Sequence, residues 1–143
     1  MKNLLVAVDI DDESRELIRM ASELAEKLGA KVWIVHVTAA EPDFVGYGVG
    51  PQYIRNMRAE DIRDEHRYLQ EYCRSLVDRG IEADALLIQG PTVDMILLEA
   101  QKLAVDMIII GAHDHGFLYN AFNENTALAL VKKARIPILT VPL

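Results

Sequence analysis

Five apolar runs, each too short for a globular helix, punctuate this chain and alternate with longer amphipathic segments. The first spans Asn3 to Asp9 and is nearly continuous in Leu, Val and Ala. The second, Lys31 to Val37, is β-branched and aromatic-rich. Ala83 to Gln89, Met107 to Ile110 and Ile138 to Val141 complete the set. Runs that are apolar at successive positions, rather than at every second one, belong to strands covered on both faces. Strands alternating with helices predict an α/β fold, with one doubly wound, five-stranded parallel sheet and helices on both sides. The 143 residues form one domain on this reading, with enough core to stand without disulfides or a structural metal.

The intervening segments read as helices. After Asp11 and Asp12, which are good N-cap residues, Leu17, Ala21, Leu24, Ala25 and Leu28 recur at helical spacing until Gly29 stops them. A second, long helix runs from Gln52 to Gly80, with Ile54, Met57, Ile62, Leu69, Tyr72, Cys73 and Leu76 on one side. Val93, Ile96, Leu97, Ala100 and Ala104 form the stripe of a third, after the turn Gly90-Pro91. Leu128, Val131 and Ala134 predict a short last helix before Pro137. Two long loops remain, Thr38 to Pro51 and Ala112 to Asn123. Long loops in a compact domain are usually functional or mobile.

Composition excludes several classes of function. The formal net charge is -7, from 22 acidic and 15 basic residues, which disfavours nucleic acid and anionic lipid as partners. The opening Met1-Lys2 leads straight into the first strand with no leader pattern, and no run approaches the roughly 20 apolar residues of a membrane helix. The expected location is the cytoplasm. Cys73 is alone, which rules out a disulfide framework and reads as a small buried hydrophobe. Ser14, Ser22 and Ser75 all fall in predicted helices, and no nucleophile elbow, phosphate-binding P-loop or dinucleotide fingerprint is present.

Ligands of doubly wound sheets sit beyond the carboxyl ends of the strands, where strand order reverses. The candidates are therefore Asp9, Val37 and the loop after it, Gln89 to Pro91, and Gly111 onward. Asp11 and Asp12 read best as helix caps. Asp9 keeps two readings, a ligand contact or a turn-forming acceptor. His113-Asp114-His115 has the residue types of a metal or acid/base site, but no further cluster completes it. His36 reads as a satisfied core histidine.

The run Ile108-Ile109-Ile110-Gly111-Ala112-His113-Asp114-His115-Gly116, followed by Val131-Lys132-Lys133-Ala134-Arg135-Ile136-Pro137-Ile138-Leu139-Thr140-Val141-Pro142, resembles the universal stress protein family. So do Leu5-Val6-Ala7-Val8-Asp9, Ile34-Val35-His36-Val37 and Gly90-Pro91-Thr92-Val93-Asp94-Met95-Ile96, so that the likeness covers the whole chain. The resemblance implies a stress-response or regulatory module without catalysis, dimerising through Ile138, Leu139, Thr140 and Val141. An apolar terminal strand left at a sheet edge would otherwise invite aggregation.

It also implies a nucleotide site at Val8, Asp9, Val37, Ile110, Gly111, His113, Asp114, Glu124, Asn125 and Thr126. Family members that bind ATP carry G-x-x-G, nine residues, then G-[ST], with glycine amides approaching the phosphates at a helix opening. Gly111 matches the first Gly, but Asp114 stands at the second, Glu124 at the third and Asn125 at the Ser/Thr, with Thr126 one residue late. A carboxylate about 4 Å from a phosphate charge costs on the order of 4 kcal/mol at an effective dielectric of 20. Micromolar affinity amounts to only about -8 kcal/mol. The expectation is an impaired triphosphate site and no resident cofactor. Two alternatives stand beside it. AMP or a nucleoside uses Asp9 and the Val37 backbone alone, or Asp114 and Glu124 recruit Mg²⁺ and ATP binds through the metal. An enzyme using His113 and Asp114 as acid and base is the reading from another class.

Overall fold

The computed structural model describes residues 1–9, 13–38, 52–112 and 121–143, with 52–62 and 121–125 described by backbone alone. Its elements are β1 (Asn3–Ala7), α1 (Ser14–Leu28), β2 (Lys31–Thr38), α2 (Gln52–Asp78), β3 (Ala83–Gln89), α3 (Thr92–Lys102), β4 (Met107–Ala112), α4 (Ala121–Lys133) and β5 (Ile138–Pro142). The strands form one parallel sheet in the order β3-β2-β1-β4-β5. The doubly wound fold expected from the apolar runs is the one observed.

Side chains on a strand alternate between faces, and here both faces are covered. Leu4, Val6, Val32, Ile34, Ile109 and Val141 pack with Leu17, Ala21 and Ala25 of α1 and Leu69 and Leu76 of α2. On the other face Leu5, Val35, Ile108 and Ile110 pack with Ile96 and Ala100 of α3 and Leu130 of α4. That two-sided burial is why the strands lack a period-two pattern. Cys73 is half-buried rather than buried as expected: its thiol donates to the Ala83 carbonyl at 3.1 Å, and partial burial pushes its pKa up. Arg79, just beyond α2, ties the helix to α1 through the Ser22 hydroxyl and the Glu26 carboxylate, both at 2.7 Å.

Several boundaries differ from the sequence reading. Regular β1 ends at Ala7, two residues before Asp9, while β2 continues through Thr38. The N-cap of α1 is Glu13, which makes no side-chain capping bond, and Asp11 and Asp12 lie outside the described residues. The stretch expected as a loop from Ala112 to Asn123 is shorter at both ends, because β4 includes Ala112 and α4 begins at Ala121. Ala104 belongs to no helical stripe: α3 ends at Lys102, and Ala104 is exposed in a left-handed conformation with φ 51°.

The face of α4 is also corrected. Leu128 and Val131 are 52% and 55% exposed, whereas Leu130 is fully buried and Ala127 packs beside it. The helix carries two neighbouring apolar rows, and the sheet takes the row holding Ala127 and Leu130. Among the described residues, no helix is long and apolar enough to cross a membrane.

Candidate functional site

Strand order reverses between β1 and β4, so the crevice at their carboxyl ends is the place where such a sheet offers a ligand site. Register aligns Ala7 with Val35 on one side and with Ile110 on the other. The next residue, Val8, is buried and donates its amide to the Val35 carbonyl at 2.9 Å. Asp9 then emerges as an exposed residue at the mouth.

Two side chains fix the peptide groups where β1 leaves the sheet. His36, only 9% exposed, places Nδ1 2.7 Å from the Val8 carbonyl oxygen. The buried Ser14 hydroxyl, from the first turn of α1, donates to the Asp9 carbonyl. That contact uses the Asp9 main chain and is independent of its carboxylate. His36 is a satisfied core histidine at Nδ1, as expected.

Val37 lies on β2 beyond its pairing with β1, whose last aligned pair is Ala7 with Val35. By strand parity its peptide groups face the same side as those of Val35, toward the crevice. Gly90 closes the same end from β3, donating its amide to the Thr38 carbonyl at 3.0 Å. Its φ of +144° and a Met95 Cγ only 2.7 Å from where a Cβ would stand make glycine necessary there.

On the β4 side Ile110 is buried, and Gly111 is aligned with Val141 of β5. A Cβ built on Gly111 would lie 2.3 Å from Leu143 Cδ1 and 3.1 Å from its Cγ. The small size of Gly111 thus accommodates the Leu143 side chain. Thr126 is half-buried on α4. Glu124 and Asn125 lie one turn inside that helix rather than at its opening, because α4 starts at Ala121. His113 and Asp114 fall outside the described residues.

The fold therefore brings Val8, Asp9, Val37, Ile110 and Gly111 to one end of the sheet. This set combines an exposed acidic residue, Asp9, with main-chain groups at Val37. Leu143 occupies the space that the missing Cβ of Gly111 leaves. No cluster of three or more His, Cys, Asp or Glu side chains suited to a metal exists among the described residues.

One participant at this end was not foreseen from the sequence. Glu65 of α2 has Oε2 3.9 Å from His36 Nε2. That oxygen is buried and has no hydrogen-bond partner among the described residues, and neither has the buried Thr38 hydroxyl nearby on β2. Glu65 sits among polar neighbours on a long helix, and nothing local distinguishes it.

Comparison with known proteins agrees with this architecture. The chain is 32% identical to universal stress protein A homolog 1 of Coxiella burnetii over 142 residues, covering 98% of this chain and 95% of the relative. A universal stress protein family structure from Burkholderia pseudomallei superposes with a TM-score of 0.77 at 21% identity, covering 99% and 96% of the two chains. The universal stress protein from Archaeoglobus fulgidus, solved in complex with dAMP, matches with a TM-score of 0.68 at 22% identity over 98% and 97%. The model of the universal stress protein family matches residues 1–142. With the sheet order and the crevice at Asp9 and Gly111 already in view, this match means that the chain belongs to the universal stress protein family.

Proposed function

We propose that this protein is a homodimeric stress-response or regulatory module of the cytoplasm, without catalytic activity, whose triphosphate site is impaired. The observation that carries the reading is Gly111. It is the one glycine of the ATP-binding pattern that this sequence keeps, and its open side is filled by Leu143. The other two glycine positions hold Asp114 and Glu124, whose charge opposes a polyphosphate.

The dimer reading draws on the outer edge of the sheet. β5 is an edge strand, with Ile138 and Leu139 half-buried and Thr140 exposed. Val141 packs into the protein's own core, so its contribution to a dimer is through main chain alone. The helical wheel of α4 puts Leu128 and Val131 on the flank away from Lys133, whose ammonium is 3.7 Å from Asp94 of α3. They therefore flank the β5 edge, and two exposed apolar side chains beside an open strand suit a second copy. Sedimentation equilibrium at micromolar concentration tests this: a dimer is expected, and a monomer contradicts it.

The second reading is an adenine-nucleotide switch at the same mouth. It is favoured by the Asp9 and Val37 geometry and by the dAMP bound in the Archaeoglobus relative. In it AMP stops short of position 114, or Mg²⁺ held by Asp114 and Glu124 carries ATP. Isothermal titration with each nucleotide, with and without Mg²⁺, separates the two readings.

A further inference from the structure

We propose that a cleft at the amino ends of β4 and β5 binds a small amphipathic anion, a carboxylate carrying one apolar tail. The cleft measures about 500 Å³ and lies between the carboxyl ends of α3 and α4. It opens at the end of the sheet opposite the Asp9 and Gly111 mouth, since the strands are parallel and its residues Val105 and Ile136 precede β4 and β5. Its base is apolar: Ala100 and Val105 are 3% and 5% exposed, and the half-buried Leu97 and Ile136 stand beside them. The room comes from small residues. Ala100 lines the cleft from α3, and beyond Lys102 the chain turns through the left-handed Ala104, so neither side chain fills the gap. A recess of this size, with an apolar base and a few polar groups at its edge, has the ordinary form of a small-molecule site.

The charged groups narrow the ligand. Lys133 and Arg135 line the cleft together with Gln101, and none of its lining residues is acidic, although the chain has 22 acidic residues against 15 basic. A recess lined by one sign of charge over low-dielectric walls concentrates the field and draws the opposite charge. The Arg135 guanidinium has no ion-pair partner among the described residues. It also lies past the end of α4, so offsetting the helix dipole does not account for it. Lys133 reaches Asp94 at 3.7 Å, but both side chains are exposed, and a pair of that kind holds a lysine only weakly. A guanidinium offers two parallel N–H groups to a carboxylate, and the Lys133 ammonium and Gln101 amide are further donors. With the head group there, the tail rests on Leu97, Ala100 and Val105. A bare anion would leave that apolar base in water, and an uncharged tail would leave the cations unused. The inference stands apart from whether any nucleotide binds.

Titration of the full chain with sodium octanoate, followed by ¹H–¹⁵N correlation spectra, tests it. Saturable binding with a dissociation constant below about 1 mM is expected, with shifts centred on the amides of Ala100, Gln101, Val105 and Ile136. Octanol lacks the charge and acetate lacks the tail, and each is expected to bind at least ~10-fold more weakly. Lys133→Gln with Arg135→Gln is expected to weaken octanoate at least ~10-fold and to leave octanol unchanged. Gln101→Trp is expected to fill the cleft from its rim and to abolish binding. Lys133, Arg135 and Gln101 are all exposed, so these substitutions leave the core intact. Octanol binding as tightly as octanoate, full affinity in the double Gln variant, shifts centred elsewhere, or no saturable binding overturns the proposal. Shifts at the same amides on dilution without octanoate would put a second copy of the chain in the cleft and overturn it as well.

Discussion

The side chain of Leu143 lies over Gly111, so that a Cβ on the glycine would fall 2.3 Å from Leu143 Cδ1. The Leu143 amide donates to the Ala112 carbonyl at 3.0 Å, which holds Leu143 against β4. Gly111→Ala is therefore expected to cost about 1–2 kcal/mol by overpacking, tempered because the clashing atom ends a flexible side chain. Leu143→Ala in the same chain should remove most of that penalty. Urea denaturation of the two single variants and the double variant measures the coupling, and purely additive effects would refute the packing role.

Acid sensitivity is expected at the base of β1. Asp106 Oδ2 accepts the backbone amides of Lys2 and Asn3 at 2.8 and 2.9 Å. The Asn3 amide first, then that of Lys2, holds this carboxyl below its ordinary value of 3.8. A value depressed in the folded state stabilises the protein above 3.8 and loses that contribution as pH falls through the folded value. Asp106→Asn is expected to lower stability at neutral pH and to flatten the acid limb of the stability profile, as read by denaturation between pH 2 and 7.

Ala104 is the only non-glycine residue with a positive φ among those described. It is exposed, so its methyl group contributes little packing to offset the strain. Ala104→Gly should raise stability by about 0.5–1 kcal/mol, seen as a higher denaturation midpoint with an unchanged slope.

Charge placed on the outer flank of α4 tests the dimer without touching the core. Leu128→Glu with Val131→Glu is expected to weaken self-association at least ~100-fold, in line with losing central apolar contacts. The thermal transition of the separated chains should move little, since both residues are exposed. Unchanged sedimentation of the double variant would place the dimer contact elsewhere.

How much of this was readable in sequence depends on the range of the interactions involved. The strands were legible because burial on both faces leaves apolar runs such as Ile108-Ile109-Ile110, and turns were legible where Gly29 and Gly90 need positive φ. On α4 the rows through Leu128 and Leu130 are equally apolar in sequence, and only packing against the sheet separates them. Asp9, Val37 and Gly111 were legible because each stands at the carboxyl end of an apolar run, Asp9 just beyond β1 and the other two in the last residues of β2 and β4. What holds them was not: Leu143 on Gly111 and Glu65 beside His36 are contacts between distant parts of the chain, without a local pattern.

The most direct test of the central claim is isothermal titration of the purified protein with ATP, ADP and AMP, each with and without Mg²⁺. An impaired triphosphate site predicts no ATP binding tighter than about millimolar, near -4 kcal/mol, in either condition. Micromolar ATP binding that depends on Mg²⁺ would contradict it and make the protein a nucleotide switch.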